Sequence, residues 1–232
     1  MNKHLSKRFD EALLNLQNMT AEMGKLTEQQ FTIMHDFLRN NAQRSELEKI
    51  EALDEKVNQY HLNINQECVR LTATRAPVAV DLRYLSATDR IATDFERIGD
   101  ELTKIARFLL SEDVDTDSKL WQELRPTARL AHSMLSRIIN VIARIDIDEA
   151  IKLLHDDREL DANYASVTRQ LITYMMEDPR YISQAVNVLF AAKALERVGD
   201  HSMNIAEAII FYDKGHDIRH KTPDEVSKLL NY

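Results

Sequence analysis

LERVGDHSMN, Leu195 to Asn204, carries a glycine in the middle of a stretch whose neighbours Ala191, Ala192, Ala194 and Ile205 favour a helix. Glycine in a helix interior costs about 1 kcal/mol relative to alanine. FERIGDELTK, Phe95 to Lys104, repeats the flaw: Glu96, Gly99 and Asp100 have counterparts in Glu196, Gly199 and Asp200, each 100 residues later. The chain has only four glycines, so finding two of them in this shared setting points to a duplicated helical unit.

Composition agrees with helices throughout. Four prolines and four glycines in 232 residues are too few for a loop-rich β protein, and no Asn-Gly or Asp-Gly hairpin turn separates alternating apolar residues. Apolar residues recur at spacings of three and four. One seam runs through Leu5, Phe9, Leu13, Leu16, Met23, Leu26, Gln30, Ile33 and Phe37, a second through Ile50, Leu53, Val57, Tyr60, Ile64, Cys68 and Leu71. A third, Ile91, Phe95, Ile98, Leu102, Ile105 and Leu109, keeps the rhythm of helices crossing at shallow angles. RNNAQRS (Arg39 to Ser45) and RAPVAV (Arg75 to Val80) break these helices, Pro77 biasing Ala76 away from helical geometry. Three more periodic segments follow, roughly Leu120 to Ile145, Ile147 to Met176 and Tyr181 to Tyr212, with Asp148 a candidate N-cap.

The expected fold is all-α, a tandem repeat of two three-helix bundles with six long helices. Its parts are a first bundle over residues 1–111, an acidic linker at 112–119, a second bundle over 120–213 and a C-terminal tail at 214–232.

The formal charge of −8 argues against nonspecific nucleic-acid binding, which needs basic clusters. A single cysteine, Cys68, excludes an internal disulfide and reads as a small buried hydrophobe. The N-terminus lacks the apolar stretch of a signal peptide, and no run is long enough to span a bilayer. A cytoplasmic location is expected, with membrane contact only through partners.

Residues four apart share a helix face, so Glu96 and Asp100 form one carboxylate pair and Glu196 and Asp200 another. With Ile91 at zero on the helical wheel, the apolar seam stays within about 40° of it, whereas Glu96 lies near ~140° and Asp100 near ~180°. Carboxylates aimed away from their own seam are unlike those of core di-iron bundles, and no histidine follows either glutamate at three residues. The second helix of each half adds acidic spacings of its own, Asp54 with Asn58 and Asp157 with Asp161. Carboxylates offered by two adjacent helices suit iron, manganese, magnesium or, less selectively, zinc. A solvated acidic face is the plain alternative. Gly99, near ~80° on the wheel, sits at the border of seam and carboxylate face, where a missing Cβ lets a neighbouring helix close in. His201 reads as a surface histidine, Arg97 and Arg197 as surface ion-pair residues, and Tyr174, Met175 and Met176 as bundle core.

ERIGD (96–100), ERVGDHSMNIAE (196–207), ARIDIDEA (143–150) and RQLITYMMEDPR (169–180) together resemble the PhoU family, accessory regulators of bacterial phosphate-specific transport. The resemblance spans nearly the whole chain. It implies two related three-helix bundles, surface metal ions and dimerisation in several members, with the metal among iron, zinc, manganese, nickel and magnesium. Its candidate ligands here are Asp54, Glu96 and Asp100 in the first half and Asp157, Asp161, Glu196, Asp200 and Asn204 in the second. It also implies a non-enzymatic negative regulator of the phosphate-starvation response, bridging the ATPase of the phosphate ABC transporter and the sensor histidine kinase of the phosphate regulon. A metal-dependent enzyme or metal store using the same carboxylates is the alternative. Where the second half has Asp161 and Asn204, the first has Asn58 and Lys104. An ammonium beside Asp100 would partly satisfy the first cluster, so the second is expected to bind metal more tightly.

Overall fold

The computed structural model describes residues 7–39, 42–111 and 114–230. Six long helices dominate, and no strand occurs among the described residues. The first half contributes α1 (Lys7–Leu38), a single turn α2 (Arg44–Leu47), α3 (Lys49–Arg75) and α4 (Ala79–Leu109). The second contributes a short α5 (Lys119–Gln122), α6 (Arg125–Arg144), α7 (Ile147–Glu177) and α8 (Ile182–Lys214), followed by α9 (Pro223–Leu230). None of these helices is long and apolar enough to cross a membrane.

The breaks have local causes. At the α3–α4 turn Ala76 adopts a left-handed conformation (φ 44°, ψ 56°) just before Pro77. The α6–α7 turn passes through Ile145 at φ 55°, and its cap is Asp146, whose carboxylate accepts the Glu149 backbone N–H at 3.0 Å. The expected cap Asp148 lies instead in the first turn of α7, where its charge still favours the helix N-terminus. Gly215, at φ 73°, ends α8 with its N–H on the Phe211 carbonyl and turns the chain back. Ile218 and Val226 of the returning segment are then fully buried. Thr222 and Glu225 cap α9 reciprocally, each accepting from the other's backbone N–H.

α1, α3 and α4 pack together, as do α6, α7 and α8, and the two groups join through α4 against α8 and α1 against α6. All six residues of the third seam are buried. The α1 seam departs from expectation beyond Gln30. Phe31, Met34 and Leu38 are fully buried there, while Ile33 and Phe37 are only half-buried. The physical reason is that α1 must cover α6 of the other half as well as its own bundle: Phe31 stacks on His132 of α6 at 4.9 Å between ring centroids. Leu5 lies outside the described residues.

α4 and α8 run antiparallel along their whole length. Tyr84 meets Tyr212, Asp94 meets His201, Glu101 meets Arg197 and Phe108 stacks on Phe190. As residue numbers rise along one helix they fall along the other. Because equivalent positions differ by 100, this pairing maps onto itself when the halves are exchanged, an approximate two-fold at the level of Gly99 and Gly199.

Cys68 is 5% exposed. Burial first, then the charges of Asp89 and Glu67, pushes its thiol up to about 12. Because the folded state holds this proton more tightly than the unfolded state, the thiol's contribution to stability is complete below pH 9.0 and is lost as pH rises toward 12. Labelling with a chromogenic disulfide at pH 8 is expected to be negligible in the native protein and stoichiometric in urea. Rapid native labelling would refute it.

Candidate metal centres

The two helix glycines set how near the second helix of each half can come. A Cβ added at Gly99 would lie 2.8 Å from Asp54 Oδ1 and 3.2 Å from Gln30 Oε1, and one added at Gly199 would lie 2.1 Å from Leu160 Cδ2. The glycines thus allow α3 to close on α4 and α7 on α8, bringing Asp54 toward Asp100 and Asp157 toward Asp200. Gly199→Ala should gain helix propensity yet lose stability by ~1 kcal/mol net, because Leu160 is fully buried and has little room to turn. A lower urea midpoint at unchanged slope is the expected reading, and an unchanged or raised midpoint would contradict it.

In the first half Asp54, Glu96 and Asp100 form one electrostatic group. Asp54 is held by amide donors, Gln30 Nε2 at 3.3 Å and Asn58 Nδ2 at 3.2 Å. Burial raises its pKa, and the Asp100 charge raises it further. Glu96 is half-buried and raised by burial and then by Asp100, with His61 acting in the opposite direction. Gln30 is fully buried, and its Nε2 also reaches the Ile50 carbonyl at 3.3 Å. It was legible only as an oddity in an apolar seam, although a polar group so placed must find a partner.

In the second half Asp157, Asp161, Glu196 and Asp200 come together. Burial, followed by the charges of Asp200, Asp161 and Glu196, pushes the Asp157 carboxyl up to about 6. Asp200 is raised by burial and then by Glu196. The expected ammonium appears here and not in the first half. Lys193 Nζ lies 2.5 Å from Glu196 Oε2, whereas Lys104 turns away from Asp100 to Glu101 at 2.9 Å. Thr93 occupies the position equivalent to Lys193. The reason given for a weaker first cluster therefore fails, since an incoming cation must displace an ammonium only in the second.

Asn204 lies with Asp157 on the wall of one cleft, but its Nδ2 donates across the α4–α8 seam to Asp94 Oδ1 at 3.2 Å. His201 is not a free surface histidine. Its side chain is 15% exposed and its Nδ1 sits 2.9 Å from the same Asp94 oxygen. Arg197 likewise crosses the seam to Glu101 at 3.1 Å, while Arg97 is exposed. Tyr174 and Met175 are half-buried against the core, Tyr174 donating to Glu123, but Met176 is 81% exposed. It lies in the last turn of α7, just short of the break at Asp178.

These surroundings fit a hard cation. Beside Asp54, Gln30 Oε1 and Asn58 Oδ1 are buried acceptors with no hydrogen-bond donor, and neighbouring carboxylates raise the pKa of Asp54 and Glu96 in one cluster and of Asp157 and Asp200 in the other. No three carboxylate, imidazole or thiolate groups among the described residues already converge on a single chelating point. The arrangement therefore suits a hydrated ion or a cluster spread over several carboxylates, with water completing the coordination.

The PhoU domain family model matches this chain twice, over residues 20–109 and 124–209. The chain is 38% identical over 232 residues to the phosphate-specific transport system accessory protein PhoU of Escherichia coli (strain K12), covering 99% of this chain and 95% of that protein. It is also 38% identical to the Serratia marcescens protein of the same name, over 99% and 94% of the two chains. The crystal structure of PhoU from Pseudomonas aeruginosa is 35% identical with a TM-score of 0.84, over 90% of this chain and all of that one (100%). The Streptococcus pneumoniae phosphate transport system regulatory protein PhoU, 24% identical at a TM-score of 0.79, shares the fold.

Proposed function

Because this chain belongs to the PhoU family, we propose that it is a cytoplasmic, non-enzymatic accessory protein of a phosphate-specific transport system that restrains the phosphate-starvation response when phosphate is plentiful. It does so by linking two partners, the ATPase of the phosphate ABC transporter and the sensor histidine kinase of the phosphate regulon. Binding that depends on transporter state shifts the kinase toward its phosphatase conformation, a population shift through differential affinity. The membrane is reached only through these partners, and a second copy of the chain completes a homodimer.

The observation that supports this reading is the duplicated carboxylate face. Each half builds an acidic cluster on the same pair of helix positions, so a rigid chain offers two related docking surfaces. A metal ion, whether iron, zinc, manganese, nickel or magnesium, would be held by Asp54, Glu96 and Asp100 in one half and by Asp157, Asp161, Glu196, Asp200 and the amide oxygen of Asn204 in the other. It would supply positive charge that neutralises the cluster and bridges to acidic groups of a partner. Deleting the gene should leave phosphate-starvation genes expressed in high phosphate, and unchanged repression would refute the reading. Hydrolysis of a phosphoester that vanishes in Glu196→Gln would support a metal-dependent enzyme in its place.

A further inference from the structure

We propose that the cleft between α7, α8 and the returning C-terminal segment binds a phosphoryl group, as free phosphate or as a phosphate ester. The cleft has a volume of about 420 Å³, within the range of small-molecule sites. Arg158, Arg219, His220 and Lys221 all line it, an unusual gathering on a chain of net charge −8. The side chains of Arg158, His220 and Lys221 make no hydrogen bond or ion pair among the described residues. Arg219 is steadied by Asp217, whose carboxylate accepts from both Nε and Nη2 and leaves only Nη1 of the guanidinium outside that pair.

Three of the four basic groups come from the segment after α8, which is held in place by the buried Ile218 and Val226. His220 adopts φ 67°, a left-handed conformation that costs free energy for a residue with a Cβ and that recurs where the backbone presents a side chain for use. A planar guanidinium donates paired hydrogen bonds to phosphoryl oxygens, and a lysine adds a mobile charge. Leu154, Met203 and Ile218 give the same cleft an apolar wall on which the organic part of an ester can rest. Asp157 and Glu207 also line the cleft. Burial raises the Glu207 pKa, with Arg90 the largest opposing charge. Glu207 also feels the charges of Arg219 and His220, so a phosphoryl group draws chiefly on Arg158 and Lys221, the two cations that the double variant below removes. Among the described residues no counterpart of this cleft occurs in the first half.

Calorimetric titration of the full chain in EDTA with inorganic phosphate, adenosine 5′-monophosphate, adenosine and sulfate tests this. Phosphate or the monophosphate should bind, adenosine and sulfate should not, and the arm that binds more tightly identifies the free anion or the ester as the ligand. Arg158→Gln combined with Lys221→Gln should weaken binding at least tenfold while leaving the thermal midpoint unchanged, since both residues are exposed. Absence of binding by either phosphoryl compound overturns the proposal, as does equal binding of sulfate or binding unaffected in the double variant. Because EDTA removes any metal, such failure leaves the carboxylate-cluster reading untouched, and failure of that reading leaves this one.

Discussion

His201→Ala is expected to destabilise the folded chain by about 2–4 kcal/mol. Asp94 belongs to α4 but is buried in the seam, 7% exposed, and its oxygen Oδ1 is served by two groups of α8, His201 Nδ1 and Asn204 Nδ2. Removing the imidazole leaves a carboxylate sealed from water with one amide donor, and the cost is chiefly the penalty for that orphaned group. The double variant Asp94→Ala/His201→Ala should therefore be more stable than His201→Ala alone. Urea unfolding of the four proteins in a double-mutant cycle gives the coupling directly. A coupling near zero would show that the contact does not hold the halves together.

Neutralising the second cluster should raise stability and reduce the response to metal. In EDTA at pH 7, Asp157→Asn/Asp200→Asn is expected to unfold at higher urea than the parent, by ~1 kcal/mol. Crowded carboxylates repel, and their partial exposure lets solvent screen much of that repulsion. Addition of manganese or zinc should then raise the thermal midpoint of the parent more than that of the variant, which keeps only the first cluster. A metal response in the variant as large as the parent's would show that the second cluster is not a cation site. The two halves can be compared in the same titration. With Lys193 on Glu196 and Lys104 diverted to Glu101, Lys193→Gln is expected to tighten metal binding in the second half by removing the cation that competes for its carboxylate.

Much of this was legible because a helix has a period. The three-and-four spacing placed the α4 seam residue by residue, and the shared glycines announced the close approach of Asp54 that the structure shows. What stayed hidden lies between the halves. A helical wheel divides α4 into an inner and an outer face, yet α4 is buried on two sides, so the pattern gives no sign that Asp94 and Glu101 are buried and His201 reads as a surface group. Nothing in one helix's pattern states that a second bundle will cover its outer flank. The same cause explains the shift from Ile33 and Phe37 to Phe31, Met34 and Leu38 on α1. Lys104 was misjudged for a different reason: its flexible stem reaches carboxylates on either side, and spacing alone does not decide between Asp100 and Glu101.

The antiparallel pairing of α4 with α8 has a consequence for how the duplicated gene has aged. An ancestor with one bundle would have joined a second copy of itself across this same seam, each position meeting its mirror. In the present chain that union is spoiled for the first half. Two copies of it, docked in the observed register, would set Asp94 of one against Glu101 of the other, two acids sealed face to face. Two copies of the second half would set His201 against the methyl of Ala194. Only the mixed arrangement gives Asp94 a base, so what began as interchangeable twins has become a lock and its key, joined in one molecule and no longer able to serve for each other.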